Sequence, residues 1–249
     1  MANRIGPPIG PPLGFPECPQ CSYLSGGPPA LCLACSRKSF ENVAATACPI
    51  CSQLLEDGTC RNRLCRDQSR RISRIRAIAY SSGDLRETIL RYKYNGKHGW
   101  SLIFGRILVA WLDRNAREQP PELIIANPTF TGAGAFGHTE RVIETAATED
   151  ALGEWPFDTA DPRVLVKLRA TSKSANTSAA AKRAAATELR DAISIPDRSR
   201  TEGRRVLIYD DICTTGSQLN TVAGYLIDDG GATDVEAIVL ARAPWRPRS

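Results

Sequence analysis

The sequence predicts an α/β fold, a mainly parallel sheet with helices on both faces, behind a small metal-held module. Three observations carry this. From Arg76 onward, short aliphatic runs alternate with helical patterns. The run Val206–Tyr209 is apolar at every position, as a strand buried on both faces requires. Ahead of these, eight of the nine cysteines fall before residue 66, too densely for a sheet and a helix layer.

In order, Arg76 to Tyr80 reads as the first strand. Ser82 or Gly83 opens a helix with Asp84 and Glu87 in its first turn and Leu85, Ile89 and Leu90 on its inner face. Trp100 to Arg117 has Ile103, Ile107, Ala110 and Trp111 at helical spacing. Leu123 to Ala126 is a buried strand, followed by a loop and a helix over Thr139 to Leu152. Val164 to Lys167 reads as another strand and the alanine-rich Ala175 to Leu189 as another helix. After the 206–209 strand come a helix to Asp228 and a last strand over Val235 to Leu240. No apolar run approaches the ~18 residues a membrane span needs. Met1 to Pro16 is rich in Pro and Gly without an apolar core, so a flexible lead-in and a cytoplasmic location are expected.

The cysteines run Cys18-x2-Cys21, Cys32-x2-Cys35, Cys48-x2-Cys51 and Cys60-x4-Cys65. Close pairs aim two thiolates from one tight turn at one metal, and two pairs complete a tetrahedral zinc site. A disulfide framework would need an oxidising compartment, which no secretory signal supports. The hairpin-sized gaps inside each foursome favour consecutive ribbons, Cys18, Cys21, Cys32 and Cys35, then Cys48, Cys51, Cys60 and Cys65, over a cross-braced exchange. Expected boundaries are 1–16 for the lead-in, 17–70 for a double zinc ribbon and 71–249 for the α/β domain.

The stretch Val206 to Leu219 carries the chemistry. In open α/β sheets, ligands bind beyond the carboxyl ends of the strands. Here that position holds Asp210 and Asp211, then Cys213, Thr214, Thr215, Gly216, Ser217 and Gln218 leading into a helix. Glycine and a helix start make an anion cradle. Two carboxylates beside it would repel a phosphate and suit vicinal hydroxyls or a cation instead. A phosphate plus a cis-diol describes a ribose 5-phosphate. Both acids are expected at an exposed strand end, their repulsion relieved by hydroxyls or a cation.

This strand, acid pair and Thr-Thr-Gly loop resemble the substrate motif of type I phosphoribosyltransferases. The resemblance implies 5-phosphoribosyl-1-pyrophosphate (PRPP) with Mg²⁺ as ligand, the ribose hydroxyls on Asp210 and Asp211 and the 5-phosphate on the 213–218 loop. The whole order is similar to the ComF-like proteins linked to bacterial DNA uptake. The matching points are the Cys-Pro-x-Cys pairs at Cys18 and Cys48, the segment Leu85 to Gly96, the 206–219 motif and the ending Ile238 to Arg242. That likeness implies a phosphoribosyltransferase-like fold, and single-stranded DNA and other DNA-uptake proteins as partners.

Two departures follow. The loop Asn127 to Thr139 holds no lysine or arginine, where related transferases hold the pyrophosphate. A pyrophosphate here would lean on Mg²⁺, backbone N–H groups and Arg141 or Lys167, so binding with weak or absent turnover is expected. Gln218 stands where the family often has threonine. His138, Lys93, Tyr94 and Lys97 read either as contacts for the ligand or as solvated surface. Cys213 reads either as a redox-sensitive thiol or as packing.

The formal net charge is +5, and two tetrathiolate zinc sites would leave only about +1. Local charge is denser: from Arg61 to Arg76 seven arginines face one acid, Asp67. Such a strip, Arg70, Arg71, Arg74 and Arg76 above all, would track a phosphate backbone or serve as a solvated linker. It sustains an alternative reading, a zinc-ribbon nucleic-acid accessory factor with a degenerate transferase pocket. No glutaminase domain fits ahead of residue 70, so a glutamine-dependent transferase is not expected, and no Walker A sequence occurs.

Overall fold

The computed structural model describes residues 43–95, 97–132, 136–172 and 179–244. Cys18, Cys21, Cys32, Cys35, the 1–16 segment, Lys173 and residues 175–178 lie outside them.

Four strands form one parallel sheet in the order β1-β6-β5-β2: β1 (Arg74–Tyr80), β2 (Leu123–Ala126), β5 (Arg205–Cys213) and β6 (Asp234–Arg242). Helices α2 (Gly83–Tyr94), α3 (Trp100–Asn115) and α4 (His138–Glu149) cover one face. The other is covered by α5 (Ala179–Arg190) and α6 (Ser217–Asp228). β5 shows why its sequence has no alternation. Leu207 and Tyr209 enter the first core, Val206 and Ile208 the second, and none is more than 4% exposed. α6 turns Leu219, Val222, Ala223 and Leu226 inward at helical spacing. α3 and α4 approach closely at Gly105, where a Cβ would sit 2.8 Å from the Ala146 nitrogen.

Two expectations need correction. The 164–167 run is not a strand of the parallel sheet. Only β3 (Val166–Lys167) is extended, and it pairs antiparallel with β4 (Ile193–Ser194) in a separate ribbon. The open side of β2 is already met by Phe157, bridged in parallel to Ile124, while Val164 and Leu165 are buried in the second core. The other correction is that β5 does not stop at residue 209. It runs through the acid pair to Cys213, because β6 continues beside it to Arg242.

The second cysteine foursome sits on the edge strand β1. The Ile75 amide donates to the Ile50 carbonyl at 2.6 Å, and the Ser52 hydroxyl bonds both Ile75 O and Ala77 N. The sheet edge is thereby covered rather than left as a template. A one-turn helix, α1 (Arg63–Arg66), buries Leu64 in the same core as Ile72 and Ile75. Among the described residues, no helix is long and apolar enough to cross a membrane.

Candidate functional site

β2 and β5 are neighbours, yet the helices that follow them leave to opposite faces, α4 to the first and α6 to the second. A crevice therefore opens beyond their carboxyl ends, the usual ligand position in such sheets. Asn127 and Asp210 meet there: Asn127 Nδ2 donates to Asp210 Oδ2 at 2.9 Å. The Asp211 amide donates to the other Asp210 oxygen.

The two acids differ sharply, against the expectation that both lie exposed. Asp211 is 3% exposed. Its Oδ2 is 2.7 Å from Lys93 Nζ and 3.3 Å from His138 Nε2, and its Oδ1 accepts from the Ile212 amide. Burial works against its charge, but His138 and Lys93 outweigh that and hold it well below the usual carboxylate range. Asp210 is half-buried. Burial first and the neighbouring Asp211 second push its pKa up to about 7. One acid is a fixed anion with two protein partners, the other a group poised to take or release a proton near neutrality.

Lys93 and His138 thus belong to the site, from opposite ends of α2 and α4. His138 is anchored by Tyr92, whose hydroxyl donates to the His138 carbonyl at 2.6 Å from a fully buried ring. Tyr94 is 65% exposed and lies under the Lys93 ammonium, 6.0 Å from Nζ to ring centre. Lys97 is exposed.

The loop from β5 to α6 presents Thr214, Thr215, Ser217 and Gln218 to solvent. The Thr215 and Ser217 hydroxyls are 3.0 Å apart. Gly216 has φ +80°, a left-handed conformation that glycine adopts freely. Cys213 faces inward, 2% exposed, and burial pushes its thiol up to about 11 over the opposing pull of Arg242. A thiol so protonated and enclosed is a packing group, not a redox sensor.

Thr129, in the loop after β2, is held by an acid rather than a base. Glu140, in the first turn of α4, accepts from the Thr129 amide and the Thr129 hydroxyl, both at 2.6 Å. Arg141 is paired with Glu144 at 2.7 Å, and Lys167 donates to Thr171 Oγ1 at 2.8 Å. Both line a cavity of about 300 Å³ beside the loop, with Thr129, Phe136 and Arg163.

Cys48, Cys51, Cys60 and Cys65 come together in the sequential grouping, all four sulfurs within 4.8 Å of one another. The Cys48–Cys65 and Cys51–Cys60 separations are 3.8 and 3.7 Å. A tetrahedron with metal–sulfur bonds of ~2.3 Å has edges of about 3.8 Å, so the donor set and its spacing fit zinc.

The arginine strip is part engaged and part open to solvent, with Arg63 and Arg66 exposed. Arg70 folds back onto the Ile72 and Cys65 carbonyls, Arg71 pairs with Asp228, and Arg76 pairs with Glu236 while lying over Trp111. Arg74 is exposed.

No family model matches the chain, and no curated protein matches it. Among solved structures, a hypoxanthine phosphoribosyltransferase from Staphylococcus aureus is similar at 17% identity, covering 57% of this chain, with a TM-score of 0.32. The match spans 62% of that enzyme's chain. Similarity at this level says nothing about what this chain binds.

Proposed function

We propose that this chain is a phosphoribosyltransferase-like protein that binds PRPP or a related ribose 5-phosphate ligand with Mg²⁺, with weak or no turnover. The observation that carries it is the Asn127–Asp210 contact at the crevice between β2 and β5, next to the exposed hydroxyl loop that opens α6. Asp210 faces the ribose hydroxyls, and the loop from Thr214 to Gln218 takes the 5-phosphate against the positive end of α6. Mg²⁺, when bound, would favour the ionised form of Asp210 and screen the diphosphate.

Weak turnover is inferred from Glu140. Its carboxylate occupies the Thr129 N–H from the first turn of α4, against the loop where a leaving pyrophosphate would need cations. The test is calorimetric titration with ribose 5-phosphate and with PRPP plus Mg²⁺, beside an assay for pyrophosphate release. The parent should bind both ligands and release little pyrophosphate. Glu140→Gln should tighten PRPP roughly five- to tenfold, the effect of removing one nearby like charge (about 1 kcal/mol), while leaving ribose 5-phosphate unchanged. Equal effects on both ligands would refute the placement of the diphosphate, and no binding of either would refute the site.

The cysteine cluster is proposed as a structural zinc site. Cobalt titration of the stripped protein should give the intense visible bands of a tetrahedral thiolate complex, and Cys60→Ser should weaken them. Octahedral-type spectra would count against it. The engaged arginines give the accessory nucleic-acid reading less support than their spacing promised.

A further inference from the structure

The four-cysteine cluster and the loop opening α6 are distant in sequence and touch in three ways. Asn62, between Cys60 and Cys65, donates from Nδ2 to the Thr215 carbonyl at 3.1 Å while its Oδ1 accepts from the Leu64 amide. Leu64 lies against Gly216, where a Cβ would fall 2.9 Å from Leu64 Cδ2 and 2.6 Å from Ile75 Cδ1. Arg242, 1% exposed, spans both regions. Its Nη1 donates to the carbonyls of Cys213, at 2.8 Å, and Thr214, and its Nη2 lies 3.9 Å from Cys51 Sγ.

Each contact depends on where the cluster holds its ligands. Residues 61–64 are a short bridge between two cysteines, so coordination at both ends fixes the Asn62 side chain over Thr215. Without a metal the four thiols are joined only by weak S–H contacts, so the bridge keeps its Leu64 anchor but loses the covalent-strength ties at its two ends. Arg242 has carbonyls and sulfurs as its partners. A tetrathiolate centre of net charge −2 offers this buried cation the counter-charge that neutral thiols cannot.

We infer that the metal centre sets the conformation of the phosphate loop, with Asn62 and Arg242 as the positioning residues that transmit it. Loading the cluster orders residues 213–216 for ligand, and losing the metal loosens them. This rests on the reading of the loop as a phosphate site, but the loop's order can be measured separately from its ligand.

The experiment compares the full chain loaded with zinc and stripped by a chelator, using hydrogen–deuterium exchange and titration with ribose 5-phosphate. Stripping should speed exchange over 213–218 while leaving β2 and α3 unchanged. It should also weaken ribose 5-phosphate by about tenfold, within the range of ordinary site-to-site coupling. By reciprocity, ribose 5-phosphate should tighten metal retention by the same factor. Asn62→Ser keeps an oxygen to cap Leu64 but cannot reach Thr215. It should retain zinc and still show the fast exchange and weak binding. Parent-like exchange and affinity in that variant overturn the proposal, including where chelation unfolds the whole chain. If loop exchange follows the metal but ribose 5-phosphate never binds the loaded protein, positioning stands and the ligand reading fails.

Discussion

Asp211→Asn is expected to cost about 3 kcal/mol of folding stability at neutral pH, as removing one partner of a buried ion pair does. The Lys93 side chain is 19% exposed and that of Asp211 5%. Burial works against the Lys93 charge, and the Asp211 carboxylate, by attraction and by hydrogen bond, more than offsets this and raises its pKa. Asparagine keeps the shape and removes the charge, leaving the ammonium enclosed. Lys93→Met in the same background should recover much of the loss, since the stranded cation goes with it. The pH dependence has a fixed sign. The folded pKa of Asp211 lies below its ordinary 3.8, so its contribution is complete above that value and is lost as pH falls further. Urea denaturation of the two single variants and the double variant at pH 7 decides it. An Asp211→Asn protein as stable as the parent would show that the pair is not formed.

What the sequence makes legible is what is local. The strand, acid pair, glycine turn and helix start of 206–219 are contiguous, so their order alone specifies the loop at the end of β5. The grouping of Cys48, Cys51, Cys60 and Cys65 likewise follows their hairpin-sized spacing. What surrounds the acids comes from elsewhere: Lys93 ends one helix, His138 starts another, and Asn127 closes β2. Nothing in a single chain's periodicity says that these ends converge. Asn127 and His138 reach the acids because every strand of the main sheet is parallel, which puts the strand carboxyl ends and the helix starts after them on one side. Arg242 did leave a signal, a lone cation closing the otherwise apolar run Ile238–Ala241. The 164–167 run failed as a sheet strand because a short apolar segment states that it is buried, not which partner it pairs with. The arginine strip is only partly readable in the sequence for a related reason. Spacing counts charges, while Asp228 and Glu236, which neutralise two of them, lie more than 150 residues on.

Asp210→Asn should act with the opposite sign to its neighbour. In the folded chain Asp210 takes up a proton near pH 7, against 3.8 for an unperturbed aspartate. The folded state therefore holds that proton more firmly than the unfolded one across this interval. The stability linked to it is fully present below about pH 4 and is lost as pH rises through 7. Asparagine carries no such titration. Relative to the parent, the variant should gain on the order of 2 kcal/mol between pH 4 and pH 8, a figure that allows for the partly solvated position of the carboxyl. Part of the gain is offset locally, because Asn127 Nδ2 and the Asp211 amide both donate to this side chain and an amide offers only one acceptor. Ligand binding should move the other way: without an ionisable oxygen for the ribose hydroxyls and Mg²⁺, ribose 5-phosphate and PRPP should both be lost. In the parent, affinity for PRPP with Mg²⁺ should rise with pH through 7 as Asp210 ionises. Denaturation curves for parent and variant that stay parallel from pH 4 to pH 8 would mean that the acid pair titrates normally. Burial and the neighbouring Asp211 would then not be what holds the proton on Asp210 up to neutrality.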